Sequence, residues 1–213
     1  MDITFIGYGE AAHHISTGLR TTGDLRLGAF DAKVSPALEQ RAADNQVTLF
    51  DSLQSACQGA RFVVCLTSAS SALSIAKTVL PLLVAGQTYV DMNSAAPTVK
   101  QAIDQLPRAA DVDFCDSAVM GTVPGNNHKV PMLLSGSGAA GFAAAFSPLV
   151  MRLTVLDADA GAVADVSAPF AARHPERRRK EGRGTCGAEI VGALQAVGGK
   201  PALPVGVGQG GEA

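Results

Sequence analysis

From residue 1 to residue 156, short apolar runs alternate with longer stretches of helical periodicity. The runs at 2–7, 25–31, 48–50, 62–67, 88–92, 113–118 and 132–135 predict β-strands. Several of them, such as Phe62-Val63-Val64-Cys65-Leu66, are unbroken rather than alternating. That pattern belongs to strands covered on both faces, as in a parallel sheet. Between them, residues 10–21, 34–45, 70–84, 97–105 and 139–151 read as helices. In the third, Leu73, Ala76, Val79, Leu80 and Leu83 form one apolar stripe, with Ser70 and Ser71 offering a capping hydroxyl before it. Strand and helix in regular succession predict an α/β domain over 1–156, a doubly wound and mostly parallel sheet joined by right-handed crossovers.

The pattern changes from residue 157. Residues 157–213 are mainly Ala, Gly, Pro, Val and Arg, and only 189–197 reads as a short helix. Few large apolar side chains are available to offset the entropy of ordering. An irregular or partly helical tail is therefore expected to follow the first domain. A basic run at 173–183 holds six Arg and Lys residues with two glutamates among them. It reads as a solvated surface, with a nucleic-acid contact as the weaker alternative.

Bulk composition narrows the classes. The net charge of −2 provides no global field toward nucleic acid or anionic membranes. No apolar run reaches the ~18 residues of a membrane span, and no secretory leader pattern opens the chain. Cytoplasmic residence is the expectation. Cys57, Cys65, Cys115 and Cys186 show neither C-x-x-C spacing nor histidine partners at zinc-finger intervals, so neither metal nor disulfide is expected. Cys65, inside an apolar run, reads as a small buried hydrophobe.

The chemistry begins with Gly7-Tyr8-Gly9-Glu10-Ala11-Ala12, a G-x-G-x-x-A pattern closing the first strand and opening the first helix. Gly7 permits a tight turn, Gly9 lets a pyrophosphate approach bare backbone, and Ala12 keeps helix and strand close. The helix N-terminus then offers free N–H groups and the positive end of its dipole. Asp31, at the tip of the second strand, can accept hydrogen bonds from ribose hydroxyls and would repel a 2′-phosphate. These features predict a Rossmann-type domain binding NAD, with NADP left open because Lys33 lies nearby. The other reading of Asp31 is a turn residue. His13 and His14 follow on the same helix, where residues pack on the sheet or face solvent, and no catalytic role is assigned to them.

With two later segments in hand, the chain resembles the β-hydroxyacid dehydrogenases, the superfamily of 3-hydroxyisobutyrate, threonate and 6-phosphogluconate dehydrogenases. Tyr89-Val90-Asp91-Met92-Asn93-Ser94-Ala95-Ala96-Pro97 is similar to its D-x-N-S stretch. Asp113-Phe114-Cys115-Asp116-Ser117-Ala118-Val119-Met120-Gly121-Thr122 resembles its D-A-P-V-S-G-G stretch, with Met120 and Thr122 in place of Ser and the second Gly. The wording is nearest to the phosphogluconate-dehydrogenase-like branch. The resemblance implies that Leu66, Thr67 and Ser68 line the adenosine and ribose side and that Asn93 and Ser94 approach the nicotinamide half. It implies that Met120, Gly121 and Thr122 border a small hydroxyacid, mostly through backbone N–H groups. Thr67-Ser68 as a helix cap, and Asn93-Ser94 as a strand-to-helix turn, remain the structural alternatives.

The resemblance stops before the family's helical domain, which carries a catalytic lysine acting as general acid/base. Here the matching stretch runs Gly161-Ala162-Val163-Ala164-Asp165-Val166-Ser167, with Ser167 where the lysine is expected, and Lys180 and Lys200 lie in other contexts. A truncated or frame-shifted product is the expected reason for the change of pattern. The expected function is NAD(P)-dependent hydride transfer with a small hydroxyacid, impaired without that lysine and without an assigned catalytic residue. An imine or ketoacid reductase on the same frame is one alternative, and a non-catalytic dinucleotide-binding module is the other. A homodimer is implied through the family's helical domain.

Overall fold

The structure, a computed structural model, describes residues 2–156 and Ala160. The chain enters through β1 (Ile3–Ile6), turns at Gly7 and climbs back as α1 (Glu10–Arg20). The same unit repeats as β2 (Leu27–Phe30), α2 (Pro36–Asp44), β3 (Val47–Leu49) and α3 (Leu53–Cys57). It continues as β4 (Phe62–Cys65), α4 (Ala72–Val79), β5 (Thr88–Asp91) and α5 (Pro97–Asp104). β6 (Asp113–Val119), β7 (Met132–Ser135), α6 (Ala139–Phe146) and β8 (Leu153–Val155) complete it. The strands form one sheet in the order β3-β2-β1-β4-β5-β6-β7-β8, parallel throughout except for the β6–β7 pair. The fold is the Rossmann-like α/β arrangement expected from the sequence.

The two-faced burial of the strands explains their composition. Along β1, Ile3 and Phe5 join one apolar cluster while Ile6 joins the other; along β4, Phe62 and Val64 oppose Val63 and Cys65. One cluster is completed by Ile15 and Leu19 of α1, Leu38 of α2 and Phe142 and Phe146 of α6. The opposite cluster takes Ala56 of α3, Ala76 and Val79 of α4 and Ile103 of α5. Helices therefore cover both faces, and period-two polarity has no reason to appear in the strands. Phe62 packs edge-on against Phe142 and Phe146, which fastens α6 to the sheet centre.

Several details depart from the sequence reading. β8 and α3 were not expected: at three and five residues they are too short to show a period. The helix expected to reach residue 151 ends at Phe146, followed by a 3-10 turn and by Val150 in the left-handed region at φ +65°. Ser71 occupies the N-cap of α4, but its hydroxyl donates to the Ser68 carbonyl rather than accepting from the helix. The helix at 189–197, the irregular tail, the basic run, Cys186, Ser167, Lys180 and Lys200 lie outside the described residues.

The connection from β6 to β7 folds down against α1. Its short 3-10 turn (Asn127–Lys129) lays His128 on Gly18, where a Cβ would collide with the imidazole. His128 is buried, and desolvation pulls its pKa below the ordinary 6.5 against a smaller upward pull from the Leu149 backbone. The folded state thus holds a neutral imidazole that the unfolded chain protonates first as pH falls. Stability is complete above the unfolded value and is lost as pH drops from there through the folded value. Urea denaturation between about pH 7.5 and 5.5 should show a falling midpoint, and the fall should be shallower in His128→Leu. His13, also lowered by burial, acts in the same direction; equal slopes in both proteins would remove His128 as a source.

Candidate functional site

The carboxyl ends of β1, β2, β4, β5 and β6 gather on one edge of the sheet. From β1 the chain moves outward to β2 and β3, then returns to the other side of β1 as β4. The loops after β1 and β4 consequently part in opposite directions and leave a crevice, the usual ligand position in such sheets.

The two fingerprint glycines are required for different reasons. Gly7 has φ +90°, and its N–H donates to Phe30 O at 2.8 Å. A Cβ there would stand 2.6 Å from Thr67 Cγ2 and 2.7 Å from Leu66 O. Protein packing across the crevice therefore demands glycine at Gly7. Gly9, the N-cap of α1, is exposed, and a Cβ there would meet no atom of the described residues within 4 Å. Among the described residues no side chain caps α1, so the first-turn N–H groups are left without a capping partner. A bare backbone beside an uncapped helix N-terminus suits an anion that approaches closely.

Around this turn the predicted residues divide. Ala12 is buried against the sheet and Ala11 half-buried, while Glu10 is exposed on the first turn. Tyr8 is fully buried; its hydroxyl lies 2.8 Å from Ser16 Oγ and accepts from Asn45 Nδ2 at 3.2 Å. Burial raises its pKa. Expected as part of the binding loop, Tyr8 instead turns its side chain into the core, because a neighbouring polar set receives the hydroxyl. Its N–H is taken as well: Asp31 Oδ2 accepts it at 2.9 Å, and Asp31 Oδ1 accepts from Lys33 N at 2.9 Å. Asp31 is thus a turn residue and also a carboxylate at the crevice rim, half-buried beside the fingerprint loop.

Across the crevice, Leu66 is half-buried and its N–H donates to Ile6 O at 2.9 Å. Thr67 and Ser68 are exposed, with their hydroxyls within 3.1 Å and 2.7 Å of Ser71 Oγ. Asn93 does not project freely outward. It is buried, its Oδ1 accepts from Thr67 N at 2.7 Å, and its Nδ2 donates to Asp91 Oδ1 and to Cys65 Sγ. Ser94, next to it, is exposed. After β6, Met120 is buried and its N–H donates to Pro131 O at 2.8 Å, so that amide is not open to a substrate carboxylate as expected. Gly121 is exposed and Thr122 half-buried, with the Thr122 carbonyl accepting from Asn126 Nδ2.

One group escaped the sequence reading. Lys100, 2% exposed, reaches from α5 to Asp91 O at 2.8 Å, Asp91 Oδ2 at 3.3 Å and Asp116 Oδ1 at 2.7 Å. Both carboxylates are fully buried, and the two residues are register partners on β5 and β6. The available signal was an acid inside each of two strands buried on both faces, which calls for a cation close by.

Comparison with known proteins fits this picture. The family profile described as the NAD binding domain of 6-phosphogluconate dehydrogenase matches residues 2–153. A conserved hypothetical protein from Sinorhizobium meliloti 1021 superposes with a TM-score of 0.70 at 26% identity, over 93% of this chain and 70% of that one. The imine reductase from Myxococcus stipitatus in complex with NADP+ gives 0.65 at 16%, over 92% and 65%. Mycobacterium tuberculosis 3-hydroxyisobutyrate dehydrogenase with L-serine gives 0.63 at 17%, over 93% and 71%. The latter two likenesses concern the fold. No curated protein sequence matches the chain.

The unequal roles of the glycines can be separated by measurement. Gly7→Ala should lower unfolding stability by about 2–4 kcal/mol, from a left-handed Cβ and a clash with backbone. Gly9→Ala should stay within about 1 kcal/mol of wild type in the same urea titration. Equal losses at the two positions would contradict the open space beside Gly9.

Proposed function

The chain belongs to the family of the NAD binding domain of 6-phosphogluconate dehydrogenase, and on that premise we propose that it binds a nicotinamide dinucleotide across the β1–β4 crevice for hydride transfer with a small hydroxyacid. The observation that carries the proposal is the empty space beside Gly9 at the uncapped start of α1. It lets a pyrophosphate come close to bare backbone at a helix N-terminus. The N–H groups of that turn would hold the anion with no side chain to be moved aside. Asp31, held by Tyr8 N and Lys33 N, keeps lone pairs for ribose hydroxyls, which favours NAD over NADP.

The remaining assignments follow the order of the strand ends. Leu66, Thr67 and Ser68 would border the adenosine and ribose side, Asn93 and Ser94 the nicotinamide half, and Gly121 and Thr122, beside the buried Met120, the hydroxyacid. When bound, the nicotinamide supplies the hydride acceptor or donor. The chain's own residues position the reactants and exclude water. Proton transfer is where the described residues offer least. Lys100 is committed to two carboxylates and a carbonyl, so it cannot serve as the acid/base. That commitment supports the second reading, a dinucleotide-binding module without turnover; general acid/base catalysis is worth roughly 10²–10⁴-fold.

Calorimetric titration of the full chain with NADH and NADPH tests the proposal. NADH should bind tighter, by about tenfold, as expected from one unfavourable carboxylate–phosphate approach. Asp31→Asn, which keeps an acceptor for Tyr8 N, should narrow that ratio. Absence of binding by either cofactor would overturn the reading. With cofactor bound, NADH formation from a panel of 3-hydroxyacids distinguishes the dehydrogenase from the module that binds without turnover.

A further inference from the structure

Lys100 does more than neutralise two acids. Its Nζ returns to the carbonyl of Asp91, nine residues earlier, and so closes the segment between them into a clamped loop. That loop carries Asn93 and Ser94. At its start, Asp91 Oδ1 accepts from Asn93 N at 3.0 Å and also from Asn93 Nδ2. Within it, Ala95 N donates to Asn93 O at 2.8 Å. At its far end, Pro97 opens α5 and places Lys100 on the first turn, its stem buried beneath the loop. Through Asn93 the clamp extends to Thr67 N after β4, and through Asp116 it extends to β6, the strand that leads to Met120.

A purely stabilising role explains this arrangement poorly. Three charges are taken out of water, and the desolvation of such groups is seldom recovered in full compared with a packed apolar set. The charges are confined to the carboxyl edge, directly under the loop that would face the cofactor. We propose that Lys100 is a positioning residue: it fixes the Asn93–Ser94 loop at the height at which the nicotinamide half of the dinucleotide docks, and ties that loop to the substrate-side strand through Asp116. The inference rests on the dinucleotide reading given above and deepens it. Lys100 touches neither cofactor nor substrate; it acts through Asp91 and Asn93. Removing it releases the Asp91 and Asp116 end of the clamp, while the Gly7–Gly9 turn and Asp31 keep bonds of their own, Gly7 N to Phe30 O and Tyr8 N to Asp31 Oδ2.

The test separates the two halves of the ligand. ADP-ribose contains the adenosine, pyrophosphate and second ribose but no nicotinamide. Full-length wild type, Lys100→Met and the charge-balanced Lys100→Met/Asp116→Asn are titrated with NADH and with ADP-ribose, after thermal melts establish which variants fold. Lys100→Met leaves two buried acids facing each other; the double variant relieves that and keeps the experiment readable if the single one does not fold. NADH affinity should fall by about tenfold, the worth of one hydrogen bond to a charged group, while ADP-ribose affinity stays within about twofold. An equal loss for both ligands, or no loss for either, overturns the positioning role. Wild type that binds ADP-ribose as tightly as NADH overturns it also, since no nicotinamide subsite would then exist to be positioned, while the adenosine half of the reading survives. Wild type that binds neither ligand overturns the dinucleotide reading itself.

Discussion

A carboxylate buried at the end of a central strand must find donors within the protein, and the way Asp91 finds them organises the carboxyl edge of the sheet. Its oxygens take the Asn93 N–H and side-chain amide on one side and face the Lys100 ammonium on the other. Each of these donors is held in turn. Asn93 accepts from Thr67 N after β4, and Lys100 contacts Asp116 on β6. The ends of three adjacent strands are thus set at fixed relative heights by polar bonds, above a core that is apolar on both faces. Across the switch point a shorter version of the same device operates, where Asp31 of the β2 loop takes the Tyr8 N–H of the β1 loop. In low dielectric these bonds are strong, and an unpaired member would be costly, so the edge has little freedom to drift.

This division of labour explains which parts were legible in the sequence. The apolar interior announced itself: unbroken runs such as Phe62 to Cys65 mark strands covered on both sides, and the two opposed clusters follow from their alternation. Elements without a period did not. Among the described residues Leu153–Val155 pairs only with β7, at the sheet edge, and Leu53–Cys57 spans little more than one turn. The site was legible by position and less so by contact. That Gly7 and Gly9 belong to a tight strand-to-helix turn follows from the strand before and the helix after. Their different duties, packing against Leu66 and leaving space for a ligand, depend on distances across the crevice that no spacing rule contains. Tyr8 shows the same limit, since its inward turn is decided by Ser16 and by the distant Asn45. Lys100 is separated by 16 residues from Asp116, its nearer carboxylate, and is matched to it only once β5 and β6 are paired in register.

The same separation bears on function. The proposed anion site, built from backbone N–H groups beside Gly9, would require little reordering when a ligand arrives. Its competence depends on the turns after β1, β2 and β4, all of which are held by bonds internal to residues 2–156. Hydride transfer to or from a hydroxyl makes a second demand, a group that carries the hydroxyl proton. A lysine whose nitrogen already contacts two carboxylates and a carbonyl serves to hold geometry, because its donors are taken up by partners on two strands. Binding and proton transfer are therefore physically separable in this architecture. On the proposed reading the edge would hold a dinucleotide in register, and the group that carries the hydroxyl proton would approach it from the Gly121–Thr122 side.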